Sequence, residues 1–150
     1  MICLIDTNIL IGILRKHEDI VSKYTLLSKK QQDKAITSYT IAELYDGVNR
    51  VEASKKMESQ MKFLEILLNK FEKRNRIFSF TRNDAKKYAA LKIALEKNGT
   101  PIPIMDLLIG SIAITNDYKL ITTDKNHFQN LKKVSPEFKV EYWGFEKEIK

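Results

Sequence analysis

The sequence has little that would cross-link the chain or insert it into a membrane, with one cysteine among 150 residues. Because Cys3 has no partner, no internal disulfide can form, and we expect a reduced thiol that fills the core. No apolar run approaches the roughly 20 residues that span a bilayer. Arg15 and Lys16 follow the first apolar run instead of preceding it, unlike a secretory signal. We therefore expect a cytoplasmic protein that is not inserted in a membrane.

Several catalytic and binding motifs are also missing. The five glycines form neither a phosphate-binding loop nor a dinucleotide-binding motif. The two histidines, His17 and His127, are too isolated for a zinc site or a catalytic triad, and we expect each at the surface or in a turn. The segment Asp6-Thr7-Asn8 lacks the second acid of the Asp-x-Asp motif, which argues against an aspartyl-phosphate phosphatase.

The composition that remains is that of a basic globular domain. Hydrophobic residues make up 43% of the chain, and 150 residues suit a single domain, 1–150. The formal net charge of +7 favours a polyanionic partner such as nucleic acid. Most of the 26 basic residues are lysines spread over predicted helices, so a solvated surface explains the charge equally well.

Hydrophobic periodicity predicts helices that alternate with short apolar strands. Strands are expected at residues 2–5, 35–38, 77–80 and 118–123, with a peripheral one at 138–143. Helices are expected at residues 7–16, 18–30, 39–51, 54–73, 81–97 and 105–115, and a polar turn at 31–34. This alternation predicts an α/β fold with a mainly parallel central sheet covered by helices on both faces.

Four acidic residues stand where this topology brings chain segments together. Asp6 ends the first strand, and Glu43 lies in the first turn after the second. Asp106 opens the helix that leads into the strand at 118–123, and Asp124 follows that strand directly. Helices that connect parallel strands begin at the carboxyl edge of the sheet, so all four carboxylates are expected at that one edge.

Each acid also has a purely structural explanation. Asp6 could cap a helix, Glu43 could complete a capping box with Thr40, Asp106 could favour a helix N-terminus, and Asp124 could be a turn residue. Together these explanations are weaker, because clustered carboxylates repel one another. Grouped oxygen ligands suit Mg²⁺ or Mn²⁺, which can polarise a phosphate and activate a bound water. A basic chain with such a cluster has what phosphodiester hydrolysis requires.

The segments around these acids resemble the signature segments of PIN-domain ribonucleases, and in particular VapC-type toxins of bacterial and archaeal toxin–antitoxin pairs. They are residues 4–10, 38–44 with Gly47, 106–113 and 120–124. His127-Phe128 and Gly99 add to the likeness, whereas Gly110 stands where the family more often has alanine.

The resemblance implies a PIN-like sheet of four or five strands, cleavage of RNA with Mg²⁺ or Mn²⁺, a homodimer and a cognate antitoxin that blocks the acidic site. It further implies four catalytic, metal-binding carboxylates and three polar residues that support them. The carboxylates are Asp6, Glu43, Asp106 and Asp124, and the supporting residues are Thr7, Asn8 and Thr123.

Two questions stay open at this level. A PIN-like chain could be a metal-dependent endoribonuclease or a non-catalytic module that binds RNA or protein, although the presence of all four acids favours the enzyme. The Met- and Leu-rich stripe of the helix at 54–73, from Met57 to Phe71, could pack in the core or hold a partner helix.

Overall fold

The computed structural model describes residues 1–144, so residues 145–150 of the predicted domain lie outside the described residues. The strands are β1 (Ile2–Ile5), β2 (Asp33–Thr37), β3 (Ile77–Phe78), β4 (Lys119–Thr122) and β5 (Lys139–Tyr142). The helices are α1 (Thr7–Leu14), α2 (Glu18–Lys29), α3 (Ser38–Asn49), α4 (Ser54–Lys73), α5 (Arg82–Lys97), α6 (Ile104–Thr115) and α7 (Lys125–Val134).

The five strands form one sheet in the order β3-β2-β1-β4-β5, and every neighbouring pair is parallel. The first strand therefore lies at the centre, where it pairs with β2 on one side and β4 on the other. This arrangement confirms the predicted α/β fold. Because all strands run the same way, the segments that leave β1, β2 and β4 start from the same edge of the sheet.

Helices cover both faces of the sheet, and the side chains of β1 alternate between two cores. Cys3 and Ile5 pack with α1, α2, α3 and α4, whereas Leu4 packs with α5, α6 and α7. The three side chains are at most 1% exposed. A central strand covered on both faces needs apolar residues at every position, which explains the unbroken run from Ile2 to Ile5. Burial of Cys3 agrees with the expected thiol in the core.

Three local predictions are wrong. Helix α7 was not expected, because only Phe128 and Leu131 of its ten residues are buried, too few for a clear period. The polar segment at 31–34 is only partly a turn, since β2 begins at Asp33, whose carboxylate is bound by Arg76. Strand β3 has two residues instead of four.

The start of α3 also differs from the prediction. Thr37, not Thr40, is the N-cap residue, and its hydroxyl accepts a hydrogen bond from the Thr40 amide. Glu43 therefore takes no part in a capping box with Thr40. The capping box of the described chain is at α5, where Thr81 and Asp84 bond each other's backbone amides.

Gly110 has a packing explanation in this fold. A β-carbon at this position of α6 would lie 2.5 Å from Cδ2 of Leu131, which is fully buried on α7. An alanine at Gly110 would therefore require the Leu131 side chain to shift. Within residues 1–144, no helix is both long and apolar enough to cross a membrane.

Candidate metal-binding site

Asp6 is the most deeply buried of the four acids, with 3% of its surface exposed. It follows β1 and caps α1: Oδ1 accepts a hydrogen bond of 2.9 Å from the Thr7 amide, and Oδ2 accepts one of 2.7 Å from the Thr122 hydroxyl. Burial, with smaller contributions from the charges of Asp106 and Glu43, raises the pKa of Asp6 to about 7 despite these two donors. A cation bound beside the Asp6 carboxylate would lower this pKa again.

Glu43 is fixed to the same corner of the fold by Thr7. The Thr7 hydroxyl donates a hydrogen bond of 2.6 Å to Oε1 of Glu43, while the Thr7 backbone amide donates to Asp6. Thr7 itself is 7% exposed, and its oxygen lies 3.2 Å from the buried Thr40 hydroxyl. One residue thus orients two carboxylates that are 37 positions apart in the sequence.

Asp106 and Asp124 lie on either side of His127. Nδ1 of His127 is 2.8 Å from Oδ2 of Asp106 and 2.6 Å from Oδ2 of Asp124. Asp106 stands in the first turn of α6, and Asp124 caps α7 by accepting a hydrogen bond from the His127 amide. Each of the three residues offers one possible ligand atom, and these three atoms lie within 4.8 Å of one another.

The ionisation of this cluster follows its geometry. Burial is the main reason that the pKa of Asp106 is raised, and the charge of Asp124 adds to it, although His127 opposes the shift. Burial disfavours the charged form of His127, but hydrogen bonds and charges from Asp106 and Asp124 outweigh it and raise the pKa of the imidazole. His127 therefore belongs to this cluster, although its side chain is still 37% exposed, and the expectation that it is too isolated to join a metal site is wrong.

The hydroxyl that bonds the acids beside β4 is that of Thr122, whereas a supporting role for the Thr123 hydroxyl stays a prediction. Thr122 donates to Asp6 and accepts a hydrogen bond of 3.0 Å from the Asp124 amide. Thr123 contributes its backbone amide, which donates to Oδ1 of Asn8 at 3.1 Å. Asn8 therefore holds the end of β4 against the start of α1. Strand alternation would have identified Thr122, had the register of β4 been known.

Three other acids lie outside this network. Asp46, one turn after Glu43 on α3, forms an exposed ion pair with Arg50. Asp117 pairs with Lys139 at the surface. Asp84 is 1% exposed, but it is occupied by the α5 capping box and by the Asn116 amide.

The donor set fits a hard divalent cation. The four carboxylates come from the carboxyl ends of β1 and β4 and the N-terminal parts of α3 and α6, and their charges act on one another. Asp6 has an elevated pKa, as expected for a buried carboxylate without a compensating cation. Carboxylate oxygens with one imidazole suit Mg²⁺ or Mn²⁺, the latter accepting nitrogen more readily.

A parallel α/β sheet with clustered acids at its carboxyl edge defines a class of metal-dependent phosphate-processing domains. The model of the PIN domain family matches residues 3–134, and the chain belongs to this family. Ribonuclease VapC2 of Rickettsia felis is 34% identical over 143 residues, which cover 95% of this chain and 98% of that protein.

Two solved structures share this fold. The crystal structure of VapBC2 from Rickettsia felis bound to a promoter DNA fragment contains a chain with 30% identity and a TM-score of 0.75, covering 95% of this chain and 99% of that one. A member of the VapBC family of toxin–antitoxin systems from Mycobacterium tuberculosis has 20% identity and a TM-score of 0.65, with coverages of 95% and 98%. At that identity the second likeness concerns the fold alone.

Proposed function

We propose that the chain is a metal-dependent endoribonuclease and the toxin of a toxin–antitoxin pair. The observation that carries the proposal is the buried Asp6 carboxylate, whose raised pKa and two fixed hydrogen bonds prepare it to hold a cation beside Glu43 and Asp106. Family membership and the likeness to ribonuclease VapC2 support RNA as the substrate. The net charge of +7 favours binding of the same polyanion.

In this proposal Asp6, Glu43, Asp106 and Asp124 hold Mg²⁺ or Mn²⁺, which supplies Lewis-acid polarisation of the phosphate and a more acidic water. Thr7 orients the carboxylate of Glu43, and its amide keeps Oδ1 of Asp6 in place. These bonds reduce the reorganisation that a carboxylate needs before it binds a cation, because each one already has a fixed direction.

Thr122 and Asn8 have the second supporting role. Thr122 connects Asp6 to the backbone of Asp124, so the two acids keep a fixed spacing across the ends of β1 and β4. Asn8 holds the Thr123 amide and thereby the turn that carries Asp124. The chain thus positions its acids through short polar bridges at the sheet edge.

A direct test compares RNA cleavage by the wild type with cleavage by Asp6→Asn in Mn²⁺ or Mg²⁺. Asparagine can keep the cap on α1 but lacks the charge, so the rate should fall by about a thousandfold. Asp117→Asn is the matched control, because it removes one exposed acid from a surface ion pair. Cleavage by Asp6→Asn at the wild-type rate would favour the alternative, a non-catalytic RNA- or protein-binding module.

A cognate antitoxin is the proposed protein partner, in keeping with the likeness to the VapBC2 structure from Rickettsia felis. The sequence predicts that the apolar stripe of α4 either packs in the core or holds a partner helix. Leu64 and Phe71 are buried in the core, whereas Phe63 and Ile66 are 46% and 58% exposed. Met57 and Met61 are partly buried against the same core and also line an apolar groove, where a partner helix could bind. A homodimer and a cytoplasmic location stay predictions.

A further inference from the structure

A cleft of about 660 Å³ lies at the amino edge of the sheet, where β2 begins, opposite the acidic site. It is enclosed by the ends of α2 and α4 and by the turns that follow them. Its volume falls within the range of small-molecule sites, roughly 300–1,000 Å³. The polar and aromatic side chains in its wall include Tyr24, Ser28, Lys34, Lys70, Arg74 and Arg76.

Lys34 is the unusual member of this wall, because it is only 7% exposed. Its ammonium donates a hydrogen bond of 3.2 Å to the Ser28 hydroxyl and lies 5.3 Å from the centre of the Tyr24 ring. Within residues 1–144 it has no ion pair with a carboxylate. A buried ammonium without an anion is costly, and an ammonium has three protons to donate. Burial, and then the charge of Arg74, lower the pKa of Lys34 accordingly.

Asp33, the acid that precedes Lys34 in the sequence, does not form an ion pair with the Lys34 ammonium. Asp33 is bound by both nitrogens of the Arg76 fork, at 2.8 and 2.9 Å. Arg74 donates only to the backbone carbonyl of Lys34 at 3.5 Å and lies 6.0 Å from the Phe71 ring. In the part of the chain that the structure describes, neither Arg74 nor Lys70 pairs with an acid. The cleft therefore carries an uncompensated charge of about +3 from lysine and arginine.

Helix ends explain part of this charge but not all of it. Lys70 stands in the last turn of α4 and Arg74 caps that helix, where the exposed carbonyls favour cations. Lys34 belongs to β2, with no helix end of its own, and lies in register with Cys3 of the central strand. A leucine or methionine at this position would fill the same space without a desolvated charge.

We propose that this cleft binds a small phosphorylated anion, with the ammonium of Lys34 at its base and Arg74 and Lys70 at its rim. A phosphate group presents several acceptor oxygens, which suit an ammonium and a guanidinium together. The Ser28 hydroxyl and the amides of Gln31 and Gln32 are further polar groups of the wall. This site is separate from the acidic edge and does not depend on the proposed nuclease function.

The test is calorimetric titration of the whole protein with pyrophosphate and, in a parallel arm, with adenosine monophosphate, in buffer without divalent metal. Lys34→Met and Arg74→Gln should each weaken pyrophosphate binding by about tenfold or more, the value of one charged hydrogen bond. Lys86→Met is the matched control, because it removes an exposed lysine on α5 outside the cleft. Its affinity should stay within about twofold of the wild type.

Residue-resolved amide shifts separate the cleft from the acidic edge. Binding should move the signals of residues 31–34 and leave those of Asp6 and Asp106 in place. Tighter binding of adenosine monophosphate than of pyrophosphate would identify a nucleoside phosphate, and the reverse order would identify a phosphate anion alone. The proposal is overturned if millimolar pyrophosphate does not bind, if either cleft variant binds normally, or if Lys86→Met loses as much affinity as they do.

Discussion

At the carboxyl edge of the sheet the chain buries a carboxylate, Asp6, and at the amino edge it buries an ammonium, Lys34. The direction of the helices accounts for the sign of the charge at each edge. Helices α1, α6 and α7 begin at the carboxyl edge with Asp6, Asp106 and Asp124, whereas α2 and α4 end at the amino edge with lysine and arginine. Partial positive charge at helix starts favours acids, and partial negative charge at helix ends favours bases.

Helix polarity cannot account for the depth of burial. A surface acid or base would gain the same interaction with a helix end at little desolvation cost. Asp6 and Lys34 instead sit where burial acts against their charged forms, raising the pKa of one and lowering that of the other. Two buried charges at opposite edges thus point to two ligands of opposite sign, a cation at one edge and an anion at the other.

The largest effect on stability is expected when the charge of Asp6 is removed from the metal-free protein. Its folded pKa of about 7 lies above the ordinary value of 3.8, so the unfolded chain ionises first and stability falls as pH rises between these values. The stability of Asp6→Asn relative to the wild type should therefore increase by on the order of 2–4 kcal/mol from pH 4 to pH 8. Urea denaturation in a chelating buffer measures it.

Metal provides the control for that experiment. Mn²⁺ should stabilise the wild type by about 2.7 kcal/mol at a hundred times its dissociation constant, and it should stabilise Asp6→Asn much less. A pH-independent difference between the two proteins, together with equal stabilisation by Mn²⁺, would mean that the carboxyl edge holds no cation.

Glu43→Gln separates orientation from charge at the same edge. Glutamine can still accept the hydrogen bond from Thr7, so stability should change by less than about 0.5 kcal/mol. RNA cleavage should fall by about ten- to a hundredfold, because a neutral amide is a poor ligand for Mg²⁺. A parallel measurement on Asp46→Asn should give wild-type cleavage, and an active Glu43→Gln would remove Glu43 from the site.

His127→Gln tests whether the imidazole is a ligand or only a counter-ion between Asp106 and Asp124. If the imidazole is a ligand, electron spin-echo spectra of the Mn²⁺-bound wild type should show a hyperfine coupling to nitrogen. His127→Gln should lose this coupling and bind Mn²⁺ about tenfold more weakly. The effect on Mg²⁺ affinity should be smaller. Spectra of the wild type without that coupling would leave His127 as a counter-ion. His17→Gln serves as the control, since His17 stands at the N-cap position of α2, outside the acidic cluster.

Apart from helix α7, the sequence is sufficient for the order of elements and for the edge at which the four acids lie, because both follow from apolar runs and from the rules of parallel sheets. It is insufficient where tertiary contacts decide. The register of β4 decides that the Thr122 hydroxyl contacts Asp6. His127 reaches Asp106 because it lies in the first turn of α7, a helix that the sequence did not predict. The burial of Lys34 was missed because a charged pair, Asp33-Lys34, is more typical of a turn than of a strand.

Lys34→Met should have a smaller effect on stability than Asp6→Asn and the opposite dependence on pH. Because the folded pKa of Lys34 is lowered, the unfolded chain binds the proton more tightly, and this lysine costs stability below the folded pKa, a cost that disappears as pH rises towards 10.5. Without an anion, Lys34→Met should be as stable as the wild type or more stable near pH 7, by less than about 1.5 kcal/mol, and the gain should shrink at higher pH.

Pyrophosphate should reverse the order of stability by stabilising only the wild type, which thermal melts with and without pyrophosphate would reveal. If methionine instead destabilises the chain at every pH, the contacts of Lys34 with Ser28 and Tyr24 outweigh its desolvation, and the symmetry between the two edges fails.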